Sequence, residues 1–227
     1  MGALSSPALR PLRTELVHEL VDLASDREAS RRALGISASQ DAEIDRNAAL
    51  RTAPTMPAIQ RYTGVLYDAL DIDSLPGAAA ARARSRLAVA SALFGLVRAE
   101  DLIPAYRLSA SSRLPGRPTL AARWRPVLEP VLSKIAERDL VVDLRSGSYA
   151  AMGKVPGVVS VEVVAQHPGG RRTAVSHFNK AHKGRLARAL SSSWSEPGDA
   201  AAVAAVARRA EMRVERRGSH LTIVVPV

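Results

Sequence analysis

Between Glu162 and Glu196 the chain holds no acidic residue, yet it carries Arg171, Arg172, Lys180, Lys183, Arg185 and Arg188. His167, His177 and His182 fall in the same window. The stretch from Ser176 to Arg188 reads as a strand end, a turn and a basic helix. Positive charge without compensating carboxylates, gathered on one helix, is what a polyanion or a phosphate-bearing ligand would meet. Two of the four lysines in the whole chain, Lys180 and Lys183, lie on this helix, although the other 28 of its 32 basic residues are arginine. In so arginine-rich a chain, two neighbouring lysines are less easily put down to codon bias.

Three further groupings can do chemistry. Asp101 and Arg107 flank a proline-stiffened turn ending in Tyr106, and no acid follows before Glu129. Tyr106 and Arg107 suit a phosphate or carboxylate clamp, with a structural Asp101–Arg107 ion pair as the competing reading. Gly35, between two short helices, lets a backbone approach a phosphate in the manner of a helix-hairpin-helix turn; a plain capped turn is the favoured reading of so short a pattern. Asp143, Ser146 and Tyr149 follow an apolar run, at the carboxyl end of an expected strand, where polar groups of an enzyme would sit. Glu15 and His18 form one E-x-x-H pair where a di-iron bundle needs two. His177 and His182 lie five apart rather than three or four, so surface histidines are expected and no metal site. Neither a phosphate-binding glycine loop nor a nucleophile elbow occurs.

With 227 residues, 47% hydrophobic and 24% charged, the chain can bury a proper core. The net charge of +10 speaks to polyanion binding and not to fold. Without cysteine, disulfides, thiolate zinc sites, iron–sulfur clusters and thiol-peroxidase chemistry are excluded. No apolar run reaches the ~18 residues of a membrane span, and the first residues lack a signal-peptide pattern. A cytoplasmic protein with no cofactor and no membrane partner is expected.

These residues need elements to position them. Leu12, Leu16, Leu20 and Leu23 give a helical stripe, Ser25–Glu28 opens a second helix that Gly35 closes, and Ser37–Gln40 opens a third reaching about Leu50. A linker at Pro54–Pro57, a helix over 58–70 and an Ala/Arg helix follow. Residues 87–92, 140–144 and 158–166 read as buried strands, 93–97 as a short helix or turn, and 107–118 as loop. A helix over 124–137 should bend at Pro126 and Pro130. Pro168–Gly170 turns into a strand over 172–176, residues 178–190 form the basic helix, 198–209 an alanine-rich one, and 212–225 a closing hairpin. Mixed strands and helices after a helical start predict an α/β (α+β mixed) single domain, with a central mixed sheet flanked by helices. Residues 1–73 are the helical lobe and 74–227 the sheet with a basic cleft.

From about Ala33 to Leu190 the chain resembles the YaaA-like peroxide-stress proteins. The resemblance rests on Tyr62–Leu70, Ser91–Arg98, Asp101–Leu108, Val142–Tyr149 and Ser176–Arg188. The family's Lys…Arg-Gly…Arg pattern falls on Lys180, Lys183, Gly184 and Arg188, with lysine in the arginine position. The resemblance implies a single α/β domain with a basic cleft, a helix-hairpin-helix-like element, DNA binding and a part in keeping unincorporated iron low. It brings no defined catalytic activity. Three departures stand out. An opening apolar strand with a Lys-bearing loop is not found, as a late start at Met1 would explain. Arg98-Ala99 replaces the usual Arg-Pro, and Ser148 replaces the acid before Tyr149.

The expected function is therefore a stress protein binding double-stranded or structured DNA through Arg107, Lys180, Lys183, Gly184, Arg185 and Arg188, with Tyr106 and Gly35. The alternative is an enzyme acting on a phosphorylated or nucleotide-like small molecule, using Asp143, Ser146 or Tyr149. A monomer is the expected state.

Overall fold

The computed structural model describes residues 4–174 and 178–226. In chain order the elements are α1 (Arg10–Leu23), α2 (Arg27–Leu34), α3 (Ala42–Ala48), β1 (Thr55–Pro57), α4 (Ala58–Arg61), α5 (Val65–Leu70), α6 (Gly77–Arg86), β2 (Ala88–Ser91), β3 (Gly95–Arg98), β4 (Leu102–Pro104) and α7 (Leu120–Ala136). There follow β5 (Val142–Asp143), α8 (Gly147–Ala150), β6 (Val159–Gln166), β7 (Arg172–Ala174), α9 (Phe178–Ser192), α10 (Ala200–Arg209), β8 (Val214–Arg217) and β9 (His220–Pro226). The fold is mixed α/β, as expected. The chain interleaves two compact units: one takes the chain up to Arg61, Ala88–Lys134 and Arg145–Lys154, the other Tyr62–Leu87, Ile135–Leu144 and Val155 onward.

The first unit is mainly helical, with two short antiparallel ribbons, β1–β4 and β2–β3. Leu16, Val17 and Leu20 of α1 and Leu120, Trp124, Leu128 and Leu132 of α7 are buried stripes at helical spacing. Trp124 donates its indole N–H to the Ala92 carbonyl (2.8 Å). Gly95 has φ +73°, and a Cβ there would stand 2.6 Å from the Trp124 ring. Arg13, only 4% exposed, donates to the carbonyls of Phe94 (2.8 Å) and Leu96 (2.7 Å), satisfying a buried guanidinium with backbone oxygens.

The second unit is built on a sheet in the order β5-β6-β9-β8. The β5–β6 and β6–β9 pairs are parallel and β8–β9 is antiparallel. β9 pairs with β6 from Ser160 to Gln166, so β5 and β7 share the other edge of β6, one at its start and one at its end. Val159, Val161 and Val163 alternate inward with Leu221 and Ile223 and meet Leu186 of α9 and Val203, Ala204 and Ala207 of α10. Valine-rich parallel strands covered by helix are the pattern that a buried parallel sheet requires.

Several expectations are corrected. Residues 55–57 are a strand, not a linker: they pair with Leu102–Pro104, and both prolines sit at strand ends where no ladder N–H is lost. Of the short helix or turn expected over 93–97, residues 93 and 94 lie in a turn, while 95–98 are strand β3, because Gly95 turns the chain back on β2. The helix expected over 58–70 breaks at Gly64, whose φ of +107° is outside helical range. The third helix covers only Ala42–Ala48, behind a 3₁₀ turn, and the strand over 140–144 shrinks to Val142–Asp143. α7 runs through Pro126 and Pro130, its buried stripe overriding their low propensity. The end of the expected strand over 172–176 lies partly outside the described residues. Among the described residues no helix is long and apolar enough to cross a membrane.

Helix α9 packs on α5 at Gly184. A Cβ at 184 would lie 2.2 Å from the Leu66 carbonyl oxygen and 2.8 Å from the Ala69 Cβ. Gly→Ala inside a helix ordinarily stabilises by about 0.5–1 kcal/mol. Here the added methyl meets backbone that cannot rotate away, and overpacking of this kind costs about 1–3 kcal/mol. Gly184→Ala is therefore expected to lower stability despite its better helix propensity, read as a lower urea midpoint at unchanged m-value.

Candidate functional site

Each side chain of α9 has a distinct environment. Arg188 donates to the carbonyls of Leu70 (2.9 Å) and Asp71, and to Ser74 Oγ (2.8 Å), and lies 3.6 Å from Asp71 Oδ2. It thus caps the carboxyl end of α5, where unsatisfied carbonyls and the helix dipole favour a cation. Gly184 is the contact glycine just described. Lys183, only 8% exposed, turns into the unit. Burial pushes its amine below the ordinary lysine value, and the Asp143 carboxylate at the end of β5 works against that shift. One turn earlier on the same helical face, Asn179 keeps a buried Oδ1 with no hydrogen-bond partner among the described residues. Lys180 and Arg185 are exposed, and neither has an ion-pair partner among the described residues. No acid occurs anywhere on α9.

His182 lines an open cavity of about 320 Å³ with Arg185, Glu211, Met212, Arg213 and the end of β9. Burial, and then the Arg185 charge, hold its imidazole below the ordinary value. His167 bonds Thr173 across its hairpin (2.9 Å), and His177 lies outside the described residues. Among the described residues no group of three His, Asp or Glu side chains could hold a metal ion.

In the first unit, Tyr106 is anchored rather than free. Its hydroxyl shares a 2.7 Å hydrogen bond with Ser91 Oγ, and its ring meets Phe94 edge-on at 5.4 Å. Asn47, 1% exposed, grips the backbone of Arg107: Oδ1 accepts from its N–H (2.8 Å) and Nδ2 donates to its carbonyl (2.9 Å). The Arg107 guanidinium remains exposed. Its charge counteracts the upward push that burial exerts on the Tyr149 hydroxyl, so Arg107 and Tyr149 share one neighbourhood. Asp101 spends its carboxylate on Ser5 (3.0 and 2.9 Å) and on the Arg98 N–H (2.9 Å), which leaves the expected Asp101–Arg107 pair unmade. Ser146 stands exposed at the first position before α8, makes no side-chain cap bond and shares a 3.3 Å contact with the Ser148 hydroxyl. Gly35 is exposed with φ +65° and ends α2 as a left-handed cap, while Asp41, beyond the turn, binds Arg31 (2.7 Å) and Arg27 (3.5 Å). Sequence reasoning missed Asn47 and Asn179, since a lone asparagine inside a helix carries no spacing signal.

The family model described as peroxide stress protein YaaA matches residues 3–203, which span every one of these side chains except the cavity wall beyond α10. The chain belongs to this family. A UPF0246 protein of Corynebacterium efficiens is 47% identical over 99% of this chain and 91% of its own length. One of Streptomyces coelicolor is 45% identical, covering 86% of this chain and 76% of its own. A more distant one, of Shewanella loihica, is 30% identical over 74% of this chain and 67% of its own.

In this YaaA-family chain the His182 environment gives a signed pH dependence. Its folded value lies below its unfolded one, so near pH 6.5 and just below it the unfolded chain binds more protons. Stability therefore falls as pH drops through that window, and levels off below the folded value. Urea midpoints measured from pH 7.5 to 5 should fall less steeply for His182→Gln than for the native chain, the difference cancelling the other titrating groups.

Proposed function

We propose that the chain binds DNA through its phosphate backbone and acts in peroxide stress by shielding DNA from iron-driven radical damage. The observation that carries this reading is the acid-free helix α9, on which Lys180 and Arg185 stand exposed without ion-pair partners among the described residues. Charges already matched by carboxylates gain little from a phosphate; unmatched ones release counterions when they meet it. In the other unit Arg107 offers an exposed guanidinium on a backbone held from both sides by Asn47. Arg188 and Gly184 contribute by fixing how α9 is rotated, and Lys183 from a buried position. The name of the family supports the stress setting. With no cysteine the chain cannot reduce peroxide by thiol chemistry, so protection by covering DNA suits its composition.

The test is a salt series of binding curves for labelled duplex. With about six phosphates engaged, log affinity against log salt should have a slope near −5. Lys180→Ala/Arg185→Ala should flatten it by about 2 and weaken binding alike across sequences. A salt-independent affinity, or a double variant indistinguishable from the native chain, removes the proposal.

A second reading, an enzyme on a phosphorylated or nucleotide-like small molecule, is favoured by the buried Lys183 amine, which feels the Asp143 carboxylate, and by the buried Asn179 Oδ1 on the same helical face, which has no hydrogen-bond partner among the described residues. A desolvated lysine near a carboxylate is a common composition of acid–base and nucleophile sites. Calorimetric titration with nucleoside monophosphates should then show saturable heat that Lys183→Met abolishes. No heat in the native chain dismisses it.

A further inference from the structure

Two tryptophans occur in the chain, and they are opposites. Trp124 is fully buried, whereas Trp194 is 85% exposed, in the loop between α9 and α10. A tryptophan carries the largest apolar surface of any side chain, so leaving one in water forgoes much burial. This one is also held in place. The Arg82 guanidinium of α6 lies over its ring, 4.3 Å from the centroid, and donates to the Ser192 carbonyl (2.9 and 3.3 Å). Arg86, one turn on, donates to the carbonyls of Leu190 (3.2 Å), Ser191 (3.3 Å) and Ser193 (2.6 Å), and its Nε meets Glu196 at 3.1 Å. Two arginines thus fasten the loop's backbone, and one of them backs one face of the indole. The ring is presented, not merely left over.

What would cover it follows from its neighbours. Among Ser193, Ser195, Glu196, Pro197, Gly198 and Asp199 only Pro197 is apolar, so the loop does not surround the ring with the apolar side chains of a protein hot spot or a membrane anchor. Arg82 spends its hydrogen bonds on a carbonyl and forms no ion pair among the described residues; of the loop's carboxylates, Glu196 meets Arg86 and Asp199 caps α10. A planar aromatic face next to a bare cation matches a nucleobase with its attached phosphate. We infer that Trp194, backed by Arg82, is a stacking platform for an unpaired nucleobase of single-stranded or locally opened DNA. This rests on the DNA-binding reading above and adds to it a preference for unpaired bases at a second surface of the same unit.

The two tryptophans make the test selective, because stacking quenches exposed indole emission while buried Trp124 stays unaffected. The full chain is titrated with single-stranded oligothymidylate, with blunt duplex and with anionic phosphatidylserine vesicles. Oligothymidylate should quench the exposed emission. Trp194→Ala should weaken single-strand binding about tenfold and leave duplex binding unchanged, while Trp194→Phe keeps most of it. Lys180→Ala/Arg185→Ala should weaken both. An unchanged urea midpoint for Trp194→Ala shows that folding is intact. If the native chain binds duplex but Trp194→Ala binds oligothymidylate as tightly as the native chain, the stacking platform is wrong and the DNA reading stands. If neither nucleic acid binds, both fall. Quenching by vesicles and not by oligothymidylate also overturns the platform.

Discussion

The closeness of α9 to α5 governs what the second unit presents. With no side chain at 184, the Leu66 carbonyl comes within reach of the α9 backbone, and Arg188 one turn later locks the end of α5 with bonds to its last carbonyls. These two contacts set the rotation of α9 about its own axis. Once they are fixed, helical geometry leaves no freedom for the rest. Leu186 must meet the sheet core, Lys183 must turn inward, and Arg185 must face water. A rotation of one residue, ~100°, would exchange the buried amine for an exposed one.

That rotation gives neighbouring lysines of one sequence pattern different chemistry. Lys180 remains a hydrated point charge suited to a phosphate. Lys183, three residues on, pays for burial with a depressed pKa that Asp143 only partly offsets. Desolvation is the larger effect, so the pair is poorly described as a simple stabilising ion pair. The unsatisfied Asn179 Oδ1 on the same face means that this inward surface has polar capacity that the described residues do not use.

Much of this was legible because the signals were local and periodic. The leucine stripe of α1, the αL cap at Gly35, the valine run of β6, the basic helix and the closing hairpin all follow from spacing or turn chemistry within a dozen residues. What was not legible depends on partners far along the chain. β1 is a strand only because Leu102–Pro104 lies beside it, and β3 takes most of the expected short helix or turn because Gly95 fits under Trp124. For the candidate site, the charge excess marked out the acid-free helix α9, yet composition could not tell which cation faces out. Lys183, Gly184 and Arg188 belong to one short motif; one is buried, one is a packing contact and one caps a helix. The alternative of an Asp101–Arg107 ion pair failed for a similar reason, since Ser5, far away in sequence, and the Arg98 N–H take the carboxylate.

The arginines show why net charge and binding surface must be separated. Arg13, Arg82, Arg86, Arg145 and Arg188 hold backbone carbonyls, tying loops and helix ends together as a chain poor in aromatics and without disulfides requires. A carbonyl is a dipole, so Arg82, which forms no ion pair among the described residues, keeps its full charge, unlike Arg86, Arg188, Arg123 or Arg172, which also meet carboxylates. Carbonyl-bound arginines therefore add to the long-range positive field that draws in a polyanion, although their donors are already engaged. Close contacts fall to exposed cations whose donors are not spent on the fold, among them Lys180 and Arg185 on one unit and Arg107 on the other. Steering and contact are thus carried by different residues: the first by the many arginines that build the fold, the second by the few whose rotation or backbone clamp leaves them facing water.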